Sequence, residues 1–327
     1  MTNAGPPQMS PAPPRPNRWP TLPVSEWAPT RDTLQLWTQI VGKVRLANTP
    51  TVNHWWNVTL YVSARGLTTS LIPHAQGPCF QIDLDLQDHQ LQIVTTANEH
   101  LSFQLESLSV AEFYTRLMSR LDDLGVGTMI WPMPVEIEGA IAFSEDHAHA
   151  VYDPDQAHRF WLLLVQVSRV FQLFRSQFIG KSSPVHLFWG ALDLAVTRFS
   201  GRTAPPHPGG VPNCGPEVMH EAYSHEVSSC GYWPGGEAEG IFYSYAYPEP
   251  PGYRDTKVSP DGAYFSEALG EFVLPYEAVR TAADPDVVLL DFLQSSYEAA
   301  ADCAQWDRQA LERHAREPID LRHGRSV

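Results

Sequence analysis

The spacing of apolar residues changes period several times along the chain, and each change marks an element. Between Thr30 and Leu46 the residues Leu34, Trp37, Ile40, Val41 and Val44 recur near every 3.6 positions, which predicts an amphipathic helix. The period then drops to two. WWNVTLYVSA, LTTSLI, CFQIDLDLQ, LQIVTT and LSFQL, separated by turns such as Gln87-Asp88-His89, predict an antiparallel meander. Ser109 and Glu112 form a capping box and Leu108 and Phe113 a hydrophobic staple, so a helix is expected to start there and run through Arg120 to Gly125. The second half repeats the order. Asp153-Pro154 opens a helix with the stripe Phe160, Trp161, Leu164, Val167, Phe171, Phe174 and Phe178. Strands follow at HLFWGALDLAVTRFS, IFYSYAY, AYF and EFVL, and a last helix runs from Asp284-Pro285 through Phe292 to Trp306.

This order predicts an α+β fold of antiparallel sheets with flanking helices. NHWWNVTLYVSARG and VHLFWGALDLAVTRFSG share an aromatic pair and an arginine near the strand end. The expectation is therefore two pseudo-duplicated helix, four-strand, helix halves, packed face to face or side by side as one unit with a pocket at their seam. The boundaries are a disordered, proline-rich tail over 1–24, a first half over 25–140, a second over 141–312 and a loose tail over 313–327.

Charge and composition narrow the function. The 22 Lys+Arg stand against 37 Asp+Glu, a formal net charge of −15, which repels phosphate backbones and anionic lipid. No nucleic-acid or membrane partner is expected. No apolar run reaches the roughly 20 residues of a bilayer span, and the N-terminus lacks the apolar core of a signal peptide, so a cytoplasmic location is the expectation. Cys79, Cys214, Cys230 and Cys303 lie far apart and read as ordinary thiols. Glycine-rich phosphate loops, G-x-S-x-G elbows and H-E-x-x-H helices are all absent.

Chemistry concentrates between Pro184 and Pro250. In strand register Trp189, Ala191, Asp193, Ala195 and Thr197 share one face, so the Asp193 carboxylate sits between two alanines with room for a ligand above it. A carboxylate on an apolar strand must be paired, metal-bound or shifted in pKa. Arg198 and Arg202 are candidate substrate anchors, although pairing with acidic neighbours is the simpler account of them. Thr203 to Gly240 reads as a long loop, a lid or site wall carrying His225, Glu226 and Trp233. Tyr243, Tyr245 and Tyr247 alternate and project from one face. His149, in Asp146-His147-Ala148-His149, is the most metal-like local feature, and His225 and His186 are candidates to complete a site for a divalent transition metal. The roles expected are catalytic for Asp193, Glu226 and Tyr245, and substrate-binding for Arg198, Arg202, Trp233 and Tyr243.

The strings HAVYDPDQAHRFW, GKSSPVHLFWGALDLAVTRFSGR, SHEVSSCGYWPGG, FYSYAYPEP and FVLPYEAVRTAADP resemble a family of bacterial proteins of unknown function, over most of the chain from Trp19 to Asp307. That resemblance implies one linked unit and carries no activity. Two readings stay open: an enzyme acting on a small anionic or aromatic molecule, metal-dependent or by acid–base chemistry, and a non-catalytic binder with an aromatic-lined pocket.

Overall fold

The computed structural model describes residues 18–236 and 238–313, with the backbone of two short paired segments at 319–320 and 325–326. The expected disorder of the N-terminal tail falls largely on residues outside those described, as does most of the expected loose tail after 313. The tail boundary at 24 is too late. Trp19 and Leu22 are buried, and the Trp19 ring packs 6.5 Å from Phe242 and 6.1 Å from Tyr276.

The first helix, α1 (Val24–Asn48), is longer than its apolar stripe suggested. Every residue from Leu36 to Arg45 is buried, so this half of the helix is enclosed on all sides instead of presenting one face to solvent. The expected meander follows as β1 (Tyr61–Val62), β2 (Gly66–Thr68), β3 (Phe80–Asp85), β4 (Gln90–Thr95) and β5 (His100–Gln104), in the spatial order β1-β2-β3-β4-β5. The helix α2 (Val110–Asp123) begins with the full capping box: the Ser109 hydroxyl accepts from the Glu112 N–H and the Glu112 carboxylate accepts from the Ser109 N–H. WWNVTLYVSA is the exception in this half. It begins at the last residue of a 3₁₀ turn, Asn53–Trp55, with positive φ at His54 and Trp55, continues as a turn through Val58, and only Tyr61 and Val62 pair as strand.

In the second half α3 (Pro154–Ser176) starts at an Asp153 cap with Pro at the first turn, as expected. HLFWGALDLAVTRFS is not one strand. It folds into a hairpin of β6 (His186–Phe188) and β7 (Asp193–Thr203), turned at Gly190 and at Leu192, whose φ is 60°. The expected loop over 203–240 holds a short helix, α4 (Pro216–Ala222), and then a full central strand, β8 (His225–Trp233). The strand β9 (Ile241–Tyr247) and the hairpin β10 (Tyr264–Ser266) and β11 (Glu271–Pro275) complete a six-stranded antiparallel sheet in the order β10-β11-β9-β8-β7-β6. The helices α5 (Tyr276–Arg280), α6 (Pro285–Cys303) and α7 (Arg308–Leu311) follow the sheet.

The fold is thus α+β with two antiparallel sheets, one of five strands and one of six. The halves share a helix, strands, helix order but differ in strand number and in strand order. The sheets meet side by side where Leu60 and Leu187 exchange backbone hydrogen bonds of 3.0 and 2.8 Å. One face of the six-stranded sheet is covered by α3 and α6; the other floors a cavity.

Candidate functional site

Strand alternation builds the floor. Asp193, Ala195 and Thr197 of β7, Ser229 of β8, Tyr243 and Tyr245 of β9 and Glu271 of β11 project to the same side and line a cavity of about 820 Å³. Tyr243 is on β9 and Asp193 on β7, so the two are separated by β8, where Gly231 is the register partner of both Tyr243 and Ala195. A Cβ on Gly231 would lie 2.2 Å from the Tyr243 ring. The missing side chain therefore lets the phenol lie across β8 and donate a hydrogen bond of 2.5 Å to Asp193 Oδ2.

The roof is the segment expected to be a lid. Trp55 Nε1 donates to the Val218 carbonyl at 2.9 Å, His54 Nδ1 lies 2.8 Å from the Ala222 carbonyl, and the Glu136 N–H donates to Pro212 O at 2.8 Å. These bonds hold the 211–223 stretch over the sheet. From it Tyr223 reaches down to meet the Tyr245 hydroxyl at 2.8 Å. Trp189 forms a side wall, its indole fixed to the Val58 carbonyl at 2.8 Å and fitted against Gly42 of α1, where any Cβ would overlap the ring. Trp55, Trp56, Trp131 and Trp233 line the same space, so its walls are mainly apolar.

Four carboxyls line this volume: Glu217, which is exposed, and three whose pKa is raised. Burial pushes Asp193 up to about 6 despite the Tyr243 hydrogen bond that favours its charged form. Glu136 is exposed at the edge of the cavity, with many protein atoms around its carboxyl, and a Cβ on Gly190 would sit 2.0 Å from its Oε1. Desolvation first and the Asp193 charge second raise it to about 7. Glu271 is raised to about 7 by the same two causes in the same order. Among the described residues none of the three is paired with an arginine or lysine. Tyr243 and Tyr245 are pushed well above the usual phenol range by burial, so both remain proton donors at neutral pH.

The residues expected from the sequence separate into two groups. Asp193, Tyr243, Tyr245 and Trp233 all line the cavity. Trp189 and Ala191 line it too, although they sit in the hairpin turn and not on a strand. Arg198 does not: it lies on the helix-covered face, 1% exposed, donating to the Phe174 carbonyl at 2.5 Å with its guanidinium carbon 3.5 Å from the centre of the Phe174 ring. Glu226 and Arg202 pair with each other at 2.7 Å beside β8, and Ser200 also donates to Glu226; they border a separate surface recess. Because β8 is a regular strand, His225 and Glu226 point to opposite faces.

The three histidines expected at a metal do not come together. His149 is in a turn, with its Nδ1 2.7 Å from Asp146 Oδ2, while Asp146 Oδ1 accepts from the Ala148 and His149 N–H groups. This local ring of bonds replaces the strand that would have put His147 and His149 on one face. His186 is fully buried, packed 4.4 Å from Phe188, and held neutral by burial, its pKa down to about 4. His225 hydrogen-bonds Ser224 at 3.1 Å and lies edge-on to His54. Among the described residues no three His, Cys, Asp or Glu side chains are placed to hold a metal ion.

An α+β protein with an aromatic-walled cavity floored by unpaired carboxyls is the class these observations define. The chain belongs to the family described as a family of unknown function (DUF5996), whose model matches residues 19–313. No curated protein and no solved structure matches it. Among the described residues no helix is long and apolar enough to cross a membrane.

Proposed function

We propose that the protein is an enzyme that performs acid–base chemistry on a small, largely apolar molecule held in this cavity. Asp193 is the central base, oriented by Tyr243; Glu136 and Glu271 are carboxyls able to give or take a proton near neutral pH. The observation that carries this reading is the convergence on one apolar cavity of three carboxyls with raised pKa, none of them in an ion pair among the described residues. Groups that titrate close to neutral pH can change protonation state during a reaction at little cost. These carboxyls also disfavour an anionic substrate group at that end, so the reading moves from an anionic or aromatic molecule to a neutral or basic aromatic-sized one. Four free cysteines accord with a reducing cytoplasmic setting.

A second reading, binding without turnover, is favoured by the tryptophan walls, which would hold an aromatic body whatever the carboxyls do. Thermal-shift measurements with size-matched aromatic amines, alcohols and carboxylates test the cavity itself. Amines and alcohols are expected to stabilise the wild type and lose that effect in Ala191→Phe, which fills the space. Equal stabilisation by carboxylates, or none lost on filling, would sink the assignment. Hydrogen–deuterium exchange into the bound ligand then separates the readings: exchange lost in Asp193→Asn marks an enzyme, and none in the wild type marks a binder.

A further inference from the structure

The chain has three lysines, Lys43, Lys181 and Lys257. Two have polar partners: Lys257 is almost fully exposed and pairs with Asp261, and Lys181 Nζ lies 2.7 Å from His54 Nε2. Lys43 differs. It sits in the enclosed half of α1, 4% exposed, and lines the cavity with no hydrogen-bond or carboxylate partner among the described residues. Its nitrogen rests over the Trp131 ring, 4.6 Å from the centre, with Phe143 at 5.9 Å. Aromatic faces stabilise an ammonium only in part, so an otherwise unpaired cation here is costly and the neutral amine gains. Desolvation lowers Lys43 to about 8. Cys214 and Glu136 line the same cavity, and Cys214 is within electrostatic reach of Lys43.

We propose that Lys43 is a nucleophile that condenses with the carbonyl group of an apolar aldehyde or ketone to form an imine. This rests on the acid–base reading of the same cavity. The amine lone pair attacks the carbonyl carbon, forming the C–N bond as the C=O electrons move to oxygen. The oxygen then leaves as water, taking both protons of the amine, one of them relayed through a cavity carboxyl; carbonyl and amine become imine and water with no other reactant. A lysine kept merely to bind an anion fits less well, because the anion would share the cavity with these carboxyls.

The test is reductive trapping of the full chain with 3-phenylpropanal and sodium cyanoborohydride at pH 7, read by intact mass and peptide mapping. Apart from the α-amino group, one adduct is expected, on Lys43, forming at least about ten-fold faster than on Lys257, because the cavity holds the apolar aldehyde beside Lys43 and burial there favours the free amine. It should vanish in Lys43→Arg, which keeps the charge and cannot form the imine. Equal labelling of Lys43 and Lys257, or no labelling of Lys43, overturns the proposal. Thermal shift with 3-phenylpropanol, which has the same body and no carbonyl, separates the two readings. Stabilisation by the alcohol without trapping of the aldehyde leaves the cavity reading intact and removes the imine; neither response removes both.

Discussion

The two faces of the six-stranded sheet each bury a charge, and they handle it differently. On the helix-covered face Arg198 is enclosed: Phe174, Phe178 and Tyr297 surround its guanidinium, and the carbonyl of Phe174 accepts from it. Burial lowers it to about 10, which leaves it charged at neutral pH. On the cavity face Asp193 has a single side-chain partner, the Tyr243 hydroxyl, and opens onto unfilled volume. Arg198 is packed on every side by rings, with its Nε left unpartnered among the described residues, so its contribution to the fold is one of packing, whereas Asp193 borders open volume and is available to a ligand. Both residues occupy the same strand, five positions apart, so the difference arises from what packs above each face.

That contrast can be broken most strongly at Arg198. Arg198→Ala removes the ring-stacked side chain and leaves a cavity under three aromatic residues, so chemical denaturation should report a loss of about 2–5 kcal/mol. Ligand-induced stabilisation per molecule bound should persist if the variant is folded. A loss under 1 kcal/mol would mean that the Arg198 face is not structural.

Next in size is Gly231→Ala. The new methyl meets the Tyr243 ring, which cannot move without leaving Asp193, so a cost of about 1–3 kcal/mol is expected from overpacking. The same variant should change the Asp193 titration followed by carboxyl-labelled NMR. Gly190→Ala is its milder counterpart, because the clash is with the flexible end of Glu136; melting should change little while the Glu136 titration moves toward a solvated value.

Asp193→Asn should be gentler on the fold than Arg198→Ala, and its sign depends on pH. Asp193 has a folded pKa of about 6, above its ordinary 3.8, so the folded state holds the extra proton and the group's contribution falls as pH rises from 4 to 6. Asparagine mimics the protonated carboxyl. The melting temperature of the variant minus that of the wild type should therefore be greater at pH 8 than at pH 4.5, and taking this difference cancels the opposing titration of buried histidines such as His186. A difference independent of pH would show that Asp193 is not raised.

The smallest effect belongs to Arg202→Ala. Its pair with Glu226 is half in solvent, and exposed pairs contribute less than about 1 kcal/mol. Unchanged ligand binding in this variant would confirm that the recess beside β8 lies apart from the cavity.

Much of the site was legible in strand parity. Asp193, Ala195 and Thr197 were expected on one face, and Tyr243 and Tyr245 on one face, because side chains alternate whatever the sheet later packs against. Arg198 has the parity of Leu194 and Val196, so the same rule points away from the cavity; its chemistry suggested a substrate anchor, and its position made it part of the core. Glu136, Glu271, Tyr223 and Lys43 were missed. Glu271 opens an otherwise apolar strand, and Lys43 interrupts IVGKV in a helix that would need to be buried on all sides for the lysine to stand out. Glu136 and Tyr223 are in irregular segments, where no period assigns a direction.

Local spacing determined the helices, their caps, the antiparallel strands and which side chains share a face, since these depend on backbone geometry within a few residues. Tertiary structure decided which face received α3 and α6, that the 211–223 stretch roofs the other, and that Lys43, Glu136 and Asp193 line one volume. Such choices come from long-range packing: a shared face costs the same energy whichever side it turns to, until distant elements remove one side from water.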